Sequence, residues 1–188
     1  MTYEFEHKAH EDGYAVVCGV DEAGRGPLAG PVYAAAVILP DGLEELGIND
    51  SKKMTEKKRE ALFDIITDNA IAYGIGFATE TEIDEINILN ATFLAMRRAV
   101  EAMGVKPDLV LVDGNRKPNT GYEEMTLVKG DAKSISIAAA SILAKVSRDR
   151  YMKELAIKYP EYNFDGHKGY PTKEHYQLLA ENGIQPIY

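Results

Sequence analysis

Three apolar runs in this chain end in the same way. AVVCGVDEAG at 15–24, LVLVDG at 109–114 and TLVKGD at 126–131 each pass from aliphatic residues to an acid and a glycine. Short runs rich in Val and Leu predict buried strands. A charge at the end of a buried strand is costly unless something pairs with it. Either the strands share a sheet and bring their acids to one edge, or the acids are separate turn and cap residues. Taken singly, Asp113-Gly114 reads as a turn and Asp131 as a helix N-cap. Their recurrence at three strand ends favours the shared edge.

The rest of the chain supplies an order. A first strand is predicted at 14–20 and a second at 31–40, closed by Pro40 and Asp41-Gly42; the short link between them reads as a hairpin. Leu62, Ile65, Ile66 and Ile71 predict a helix over 57–73, with Thr55 and Glu56 at its start. AYGIGFATE at 72–80 predicts a third strand. Phe93, Met96, Val100 and Met103 predict a helix over 87–103, ended by Gly104. Strands follow at 108–114 and 125–131, then one long helix over 134–158 and a short one over 172–182 with Thr172 as N-cap. The order β-β-α-β-α-β-β-α puts antiparallel strands first and parallel crossovers after. The expected fold class is α/β: a mixed five-stranded sheet flanked by helices, with a small C-terminal helical element. The expected division is a catalytic domain at 1–158 and an element at 159–188, which is richer in aromatic residues, Gly and Pro.

Composition narrows the function classes. The chain has 188 residues, 45% hydrophobic and 27% charged, as in ordinary globular proteins. It has no apolar run long enough to span a membrane, and MTYEFEHKAHEDGY lacks the apolar stretch of a secretory signal. The single cysteine, Cys18, excludes an internal disulfide and lies in an apolar run, where it reads as a small buried hydrophobe. A cytoplasmic location and a monomer are expected. The net charge of −9 argues against a nonspecific nucleic-acid coat. The charge is uneven, however: residues 1–51 hold Lys8 and Arg25 against ten acids, while Lys52, Lys53, Lys57, Lys58 and Arg59 follow as a basic run. An acidic protein can therefore carry a local basic face.

If the strand ends meet, Asp21, Glu22, Asp113 and Asp131 converge. Four like charges raise one another's pKa, and a divalent cation relieves that repulsion. Hard oxygen ligands suit Mg²⁺ or Mn²⁺; zinc favours His and Cys, and the pattern offers no such cluster. Adjacent strand residues point to opposite faces, so the route of Glu22 to a shared site is an open question. The loop Gly24-Arg25-Gly26-Pro27-Leu28-Ala29-Gly30 is neither G-x-G-x-x-G nor a P-loop, and a strand rather than a helix follows it. It suits close approach of bare backbone to a phosphate or sugar, or a tight hairpin link.

These motifs resemble the bacterial ribonuclease HII family, the type 2 ribonucleases H. DEAGRGPLAGPV, NDSKK at 49–53, LVDG at 111–114, KGDAKSISIAAASILAKVSRD at 129–149 and HKGYPT at 167–172 occur in the family's order over nearly the whole chain. The resemblance implies the ribonuclease H-like fold and metal-dependent endonucleolytic cleavage of the RNA strand in RNA–DNA hybrids. It implies incision 5′ of single ribonucleotides embedded in duplex DNA, giving 3′-hydroxyl and 5′-phosphate ends, as in ribonucleotide and primer removal. Carried over by position, Asp21, Glu22, Asp113 and Asp131 are the catalytic carboxylates, holding two Mn²⁺ or Mg²⁺ ions in the active complex. Gly24, Arg25 and Gly26 read the 2′-hydroxyl and adjacent phosphate, and Tyr170 stacks on the deoxyribose that follows. Lys52, Lys145, Arg148 and Lys168 are candidate phosphate contacts, with structural pairing the alternative for each. A non-catalytic hybrid-binding domain predicts loss of a strand-end acid, and all four are present. A small phosphate-binding protein predicts a helix after the glycine loop. Two departures from the family stand out: Pro171 occupies a position where glycine is frequent, and the chain stops at IQPIY where members run on into a basic, aromatic segment. It is expected to be either naturally short or truncated.

Overall fold

The structure is a computed structural model and describes residues 1–27, 29–184 and 187; Leu28 and Gln185, Pro186 and Tyr188 of the IQPIY end lie outside it. In chain order it contains α1 (Glu4–Glu11), β1 (Val17–Ala23), β2 (Val32–Ile38), α2 (Glu56–Asn69), β3 (Ala72–Ala78), α3 (Glu80–Ala102), β4 (Leu109–Asp113), β5 (Glu123–Leu127), α4 (Ile135–Lys158), α5 (Phe164–His167) and α6 (Lys173–Asn182). Short 3₁₀ turns occupy Ser51–Lys53, Gly130–Ala132 and Pro160–Tyr162, among others.

The five strands form one sheet in the order β3-β2-β1-β4-β5. β1 is antiparallel to β2 and parallel to β4; β5 is parallel to β4. The C-terminal ends of β1, β4 and β5 therefore share one edge, the arrangement the acidic strand ends required. One face is covered by α4, backed by α2, with a core of Val37, Ile66, Ile142 and Leu143. The other is covered by α3, over Val20, Val32, Met96 and Val112. Each large aliphatic side chain buried in these layers contributes roughly 1.5–3 kcal/mol.

The first turns of α4 are unusually small in side chain, ISIAAASILA, and all ten of those residues are buried. This lets the helix lie close to the sheet. At the tightest point, a Cβ on Gly19 would fall 2.3 Å from the Ser136 backbone carbon. Only glycine permits that approach, and it sets α4 two residues from Asp21.

The structure corrects several sequence expectations. β1 runs to Ala23, so Asp21 and Glu22 lie within the strand rather than after it. β5 ends at Leu127, and Asp131 sits on the 3₁₀ turn Gly130–Ala132 beyond it. α3 begins at Glu80, seven residues before the predicted start. A Thr79/Glu82 capping box opens it, and the helix breaks at Asn87 (φ 69°, ψ 168°). The predicted start thus coincides with that break, where Asn87 Oδ1 accepts from Asn90 N–H. α1 went unpredicted because its inward residues are Tyr3, Glu6 and Ala9, and the acid at the centre of that face erases the apolar periodicity. Residues beyond Lys158 form a cluster around Tyr162 and Phe164 that packs on Met152 and Leu155 of α4.

Candidate active site

Asp21, Asp113 and Asp131 come from β1, β4 and the turn after β5, and one carboxylate oxygen from each lies within 4.8 Å of the others. The register explains the first pair. Val20 stands level with Val112, so one more step brings Asp21 level with Asp113. Both side chains leave the sheet on the α4 side, the side on which Gly19 meets Ser136. The third acid is tied in by backbone: Asp131 N–H donates to Asp113 Oδ1 at 3.2 Å. Lys52 Nζ donates to Asp131 Oδ2 at 3.1 Å.

The expected convergence of four acids is met by three: Glu22 stands outside that group and lines the same cavity. Its side chain starts on the α3 face and enters from the side. It lines both a cavity of about 210 Å³ shared with Asp21, Asp113, Asp131 and Tyr170 and an adjoining one of about 280 Å³ walled by Arg25, Thr92, Phe93 and Arg116. On the question of its orientation, the side chain borders both cavities, beside the three aspartates rather than among them. Its Oε2 is buried and has no hydrogen-bond partner among the described residues.

Proximity without compensation shows in the acid strengths. Burial, then the charges of Glu22 and Asp113, push Asp21 well above the usual carboxylate range. Burial raises Glu22, with the Asp113 charge adding to it and a hydrogen bond with Asp21 opposing it. Burial and the Asp131 charge raise Asp113. Such a cluster favours either shared protons or a bound cation. The orphaned Glu22 oxygen and the all-oxygen donor set fit a hard divalent ion, and the described lining residues of both cavities include neither His nor Cys. Cys18 is remote from this chemistry: burial pushes its thiol up to about 12.

Beyond Ala23 the chain enters the glycine loop. Gly24 has φ +96°, and a Cβ there would meet Arg148 Nε at 2.3 Å. Gly26 has nothing within 4 Å of the position a Cβ would take, among the described residues. Arg25 is exposed between two cavities. Tyr170 closes the opposite side of the smaller cavity, its ring centroid 4.9 Å from Lys145 Nζ and 5.5 Å from the Arg148 guanidinium carbon.

The family model of ribonuclease HII matches residues 18–187. Ribonuclease HII of Caldicellulosiruptor bescii is 56% identical over 186 residues, spanning 99% of this chain and 90% of the relative. The chain belongs to the ribonuclease HII family. It is accordingly a metal-dependent endonuclease that cleaves RNA in RNA–DNA hybrids. The fold agrees with that of ribonuclease H2 from Pyrococcus horikoshii OT3, with a TM-score of 0.74 at 31% identity over 90% of each chain. It agrees also with ribonuclease HII in the PCNA complex from Archaeoglobus fulgidus, with a TM-score of 0.77 at 26% identity over 91% of this chain and 90% of that one. Among the described residues no helix is long and apolar enough to cross a membrane.

Within this ribonuclease HII fold the four basic candidates separate. Lys52 is exposed beside Asp131, and Lys145 faces the cavity but donates to Asp149 at 3.0 Å. Arg148 and Lys168 do not stand free for phosphate. Arg148 is fully buried, and its guanidinium donates to the carbonyls of Pro31, Ala29 and Lys168. It clamps the glycine loop to the loop that carries Tyr170. Lys168 is buried and donates to the backbone and side chain of Asp165, with Glu56 4.0 Å away. Burial turned these two charges inward, where carbonyls and acids neutralise them. Sequence reasoning missed Ser51, Arg59 and Ser141 as cavity-lining residues. NDSKK and AAASILA contain the two serines, but a hydroxyl within a motif gives no sign of its direction. Ser51 and Ser141 in fact bond each other at 2.8 Å.

Proposed function

We propose that Asp21, Glu22, Asp113 and Asp131 together hold two Mg²⁺ or Mn²⁺ ions, and that the enzyme cuts 5′ of ribonucleotides embedded in duplex DNA, leaving a 3′-hydroxyl and a 5′-phosphate. The observation that carries this reading is the convergence of three carboxylates from separate chain segments beside Glu22, in a cavity that Tyr170 also lines. Bound divalent ions supply Lewis acidity that activates water and neutralises the phosphate. The protein's own residues do the rest. The carboxylates provide the ligand charge and set the phosphate's place by their positions on two strands and the turn after β5. Gly24-Arg25-Gly26 presents bare backbone to the 2′-hydroxyl, the group that distinguishes RNA from DNA, and Arg25 adds a charge at the adjacent phosphate. Tyr170 offers a ring face to the following deoxyribose, held over Lys145 and Arg148. Lys52 is the basic residue best exposed for a phosphate oxygen. The enzyme acts as a monomer in the cytoplasm under this reading, with residues 159–188 as its substrate-contacting element.

The test uses two duplexes of one sequence, one all-DNA and one with a lone ribonucleotide, incubated with Mg²⁺, Mn²⁺ or chelator. The expected result is a single cut on the 5′ side of the ribonucleotide, only with metal. Metal-dependent cutting elsewhere, or none on this duplex alongside activity on long hybrids, overturns the junction reading.

A further inference from the structure

The turn that carries Asp131 lies outside the sheet, and its position depends on what holds the start of α4. Ser134 closes the turn, its N–H donating to Gly130 O at 2.7 Å. Its hydroxyl is fully engaged. The oxygen accepts from Ile137 N–H at 3.2 Å, capping α4, and the proton goes to Glu6 Oε1 at 3.1 Å. Ser136 Oγ donates to the second oxygen, Glu6 Oε2, at 3.2 Å. Thr2 adds a backbone link, its carbonyl accepting from Ile135 N–H at 3.2 Å.

Glu6 is only 4% exposed, although it lies in a helix of polar sequence. A buried acid is costly, and this one is placed where its cost is lowest, at a helix N-terminus with a hydroxyl donor for each oxygen. The same stretch meets the catalytic strands on its other side. Asp131 N–H donates to Asp113, and the Ser136 backbone rests against Gly19, two residues before Asp21. Residues 130–137 are thus held between α1 and the two strands that supply the other acids.

We propose that α1 is a brace for the acidic cluster: Glu6, acting through Ser134 and Ser136, fixes Asp131 relative to Asp21 and Asp113 and is a positioning residue for the cation site. α1 lies outside residues 18–187 of the family match, and none of the resemblance motifs includes Glu6. The inference rests on the reading of Asp131 as a cation-holding residue.

The experiment measures Mn²⁺ binding to the full chain by calorimetry without substrate, alongside the metal dependence of cleavage and KM for the duplex. Glu6→Ala should weaken Mn²⁺ binding about tenfold, the scale for groups that orient metal ligands, with KM unchanged. Glu6→Gln should recover most of the loss, since a carboxamide can accept from one serine and donate to the other. Ser136→Ala should fall between wild type and Glu6→Ala. Glu6→Ala with a lowered melting temperature but wild-type Mn²⁺ affinity overturns the proposal, because that is what packing alone predicts. If Glu6→Ala does not fold, Ser136→Ala decides, and wild-type Mn²⁺ binding there overturns it equally. Asp131→Asn separates the two readings. Unchanged Mn²⁺ binding in that variant removes the assignment of Asp131 and the brace with it. Weakened binding there, with none in Ser136→Ala, removes the brace alone.

Discussion

The sheet edge and the C-terminal element hold their functional side chains in opposite ways. At the edge, like charges are buried together, and the pKa values of Asp21, Glu22 and Asp113 are all raised, chiefly by burial. Around Tyr170, polar groups are satisfied. His167 Nε2–H donates to Tyr162 O while its Nδ1 accepts from Gly169 N–H, and His175 Nδ1 donates to Tyr170 O. The two imidazoles stack 4.0 Å apart beside Phe164, and burial moves both down, toward the neutral form. One region is unfavourable by itself, and under the proposed reading a cation completes it. The other is satisfied by its own hydrogen bonds and supports the Tyr170 ring, the proposed substrate contact. Arg148 joins them through three carbonyls.

The largest effect should come from breaking the unfavourable half. Asp113→Asn removes one of the clustered charges and keeps the side chain's shape. Turnover should fall at least about 10²–10³-fold, the scale of losing one preorganised electrostatic group. Duplex affinity should stay within a few-fold. The chelated protein should melt higher than chelated wild type, because a buried like charge is gone. Higher melting with lost turnover is a signature that a simple folding defect cannot give. A variant that cleaves near the wild-type rate would remove Asp113 from the site.

How much of this was legible follows from which residues point where. The strand ends were readable because Val and Leu runs stop at an acid and a glycine three times, and the mixed character of the sheet was readable from its links; the strand order was not, since β5 lies parallel to β4 with no helix between them. The glycine loop was readable from its motif. Glu22's place was not, since strand alternation puts it on the other face from Asp21 and the structure sets it between two cavities beside the three aspartates. Arg148 and Lys168 stood as candidate phosphate contacts with structural pairing the alternative, and their sequence neighbours do not decide between the two. Their burial depends on loops far apart in sequence, Ala29–Pro31 and Asp165–Lys168. Glu6 left no signal, because a buried acid inside a polar helix looks like a solvated face. Tertiary partners decided each of these, and the sequence near each residue does not name them.

The next effect sharpens where the two regions touch. Gly24→Ala places a Cβ 2.3 Å from Arg148 Nε and 2.8 Å from Pro31 O, at φ +96°. It should cost about 1–3 kcal/mol in stability from strain alone, seen as a lower melting temperature, and turnover should fall with it. Gly26→Ala meets nothing within 4 Å, among the described residues, and should melt within about 0.5 kcal/mol of wild type, as surface changes do. Its cleavage of the ribonucleotide-containing duplex should nevertheless fall about tenfold or more, because the methyl occupies the approach to the sugar. Wild-type cleavage by Gly26→Ala would take Gly26 out of 2′-hydroxyl recognition, whatever Gly24→Ala does.

The smallest effect is the response to pH, and its sign should differ between the regions. For the chelated protein, Asp21, Glu22 and Asp113 bind protons more tightly folded than unfolded. Their contribution to stability is full below the usual carboxylate pKa and is lost as pH rises through the shifted values. For His167 and His175 the folded pKa is lowered. Their contribution is full above the ordinary imidazole pKa of about 6.5 and is lost as pH falls through the shifted values. Protonation at His167 Nδ1 removes its acceptor for Gly169 N–H, and two imidazolium rings in contact repel, so acid should loosen the Tyr170 loop first. Proton NMR should show both rings titrating below about 6.5. Melts of the chelated protein should show Asp113→Asn flattening the loss of stability on the higher-pH side while leaving the acid-side loss in place. Added Mn²⁺ should do the same. If either imidazole titrated above the ordinary value, or if Asp113→Asn flattened the acid side instead, the contrast between a charged edge and a neutral loop would not hold.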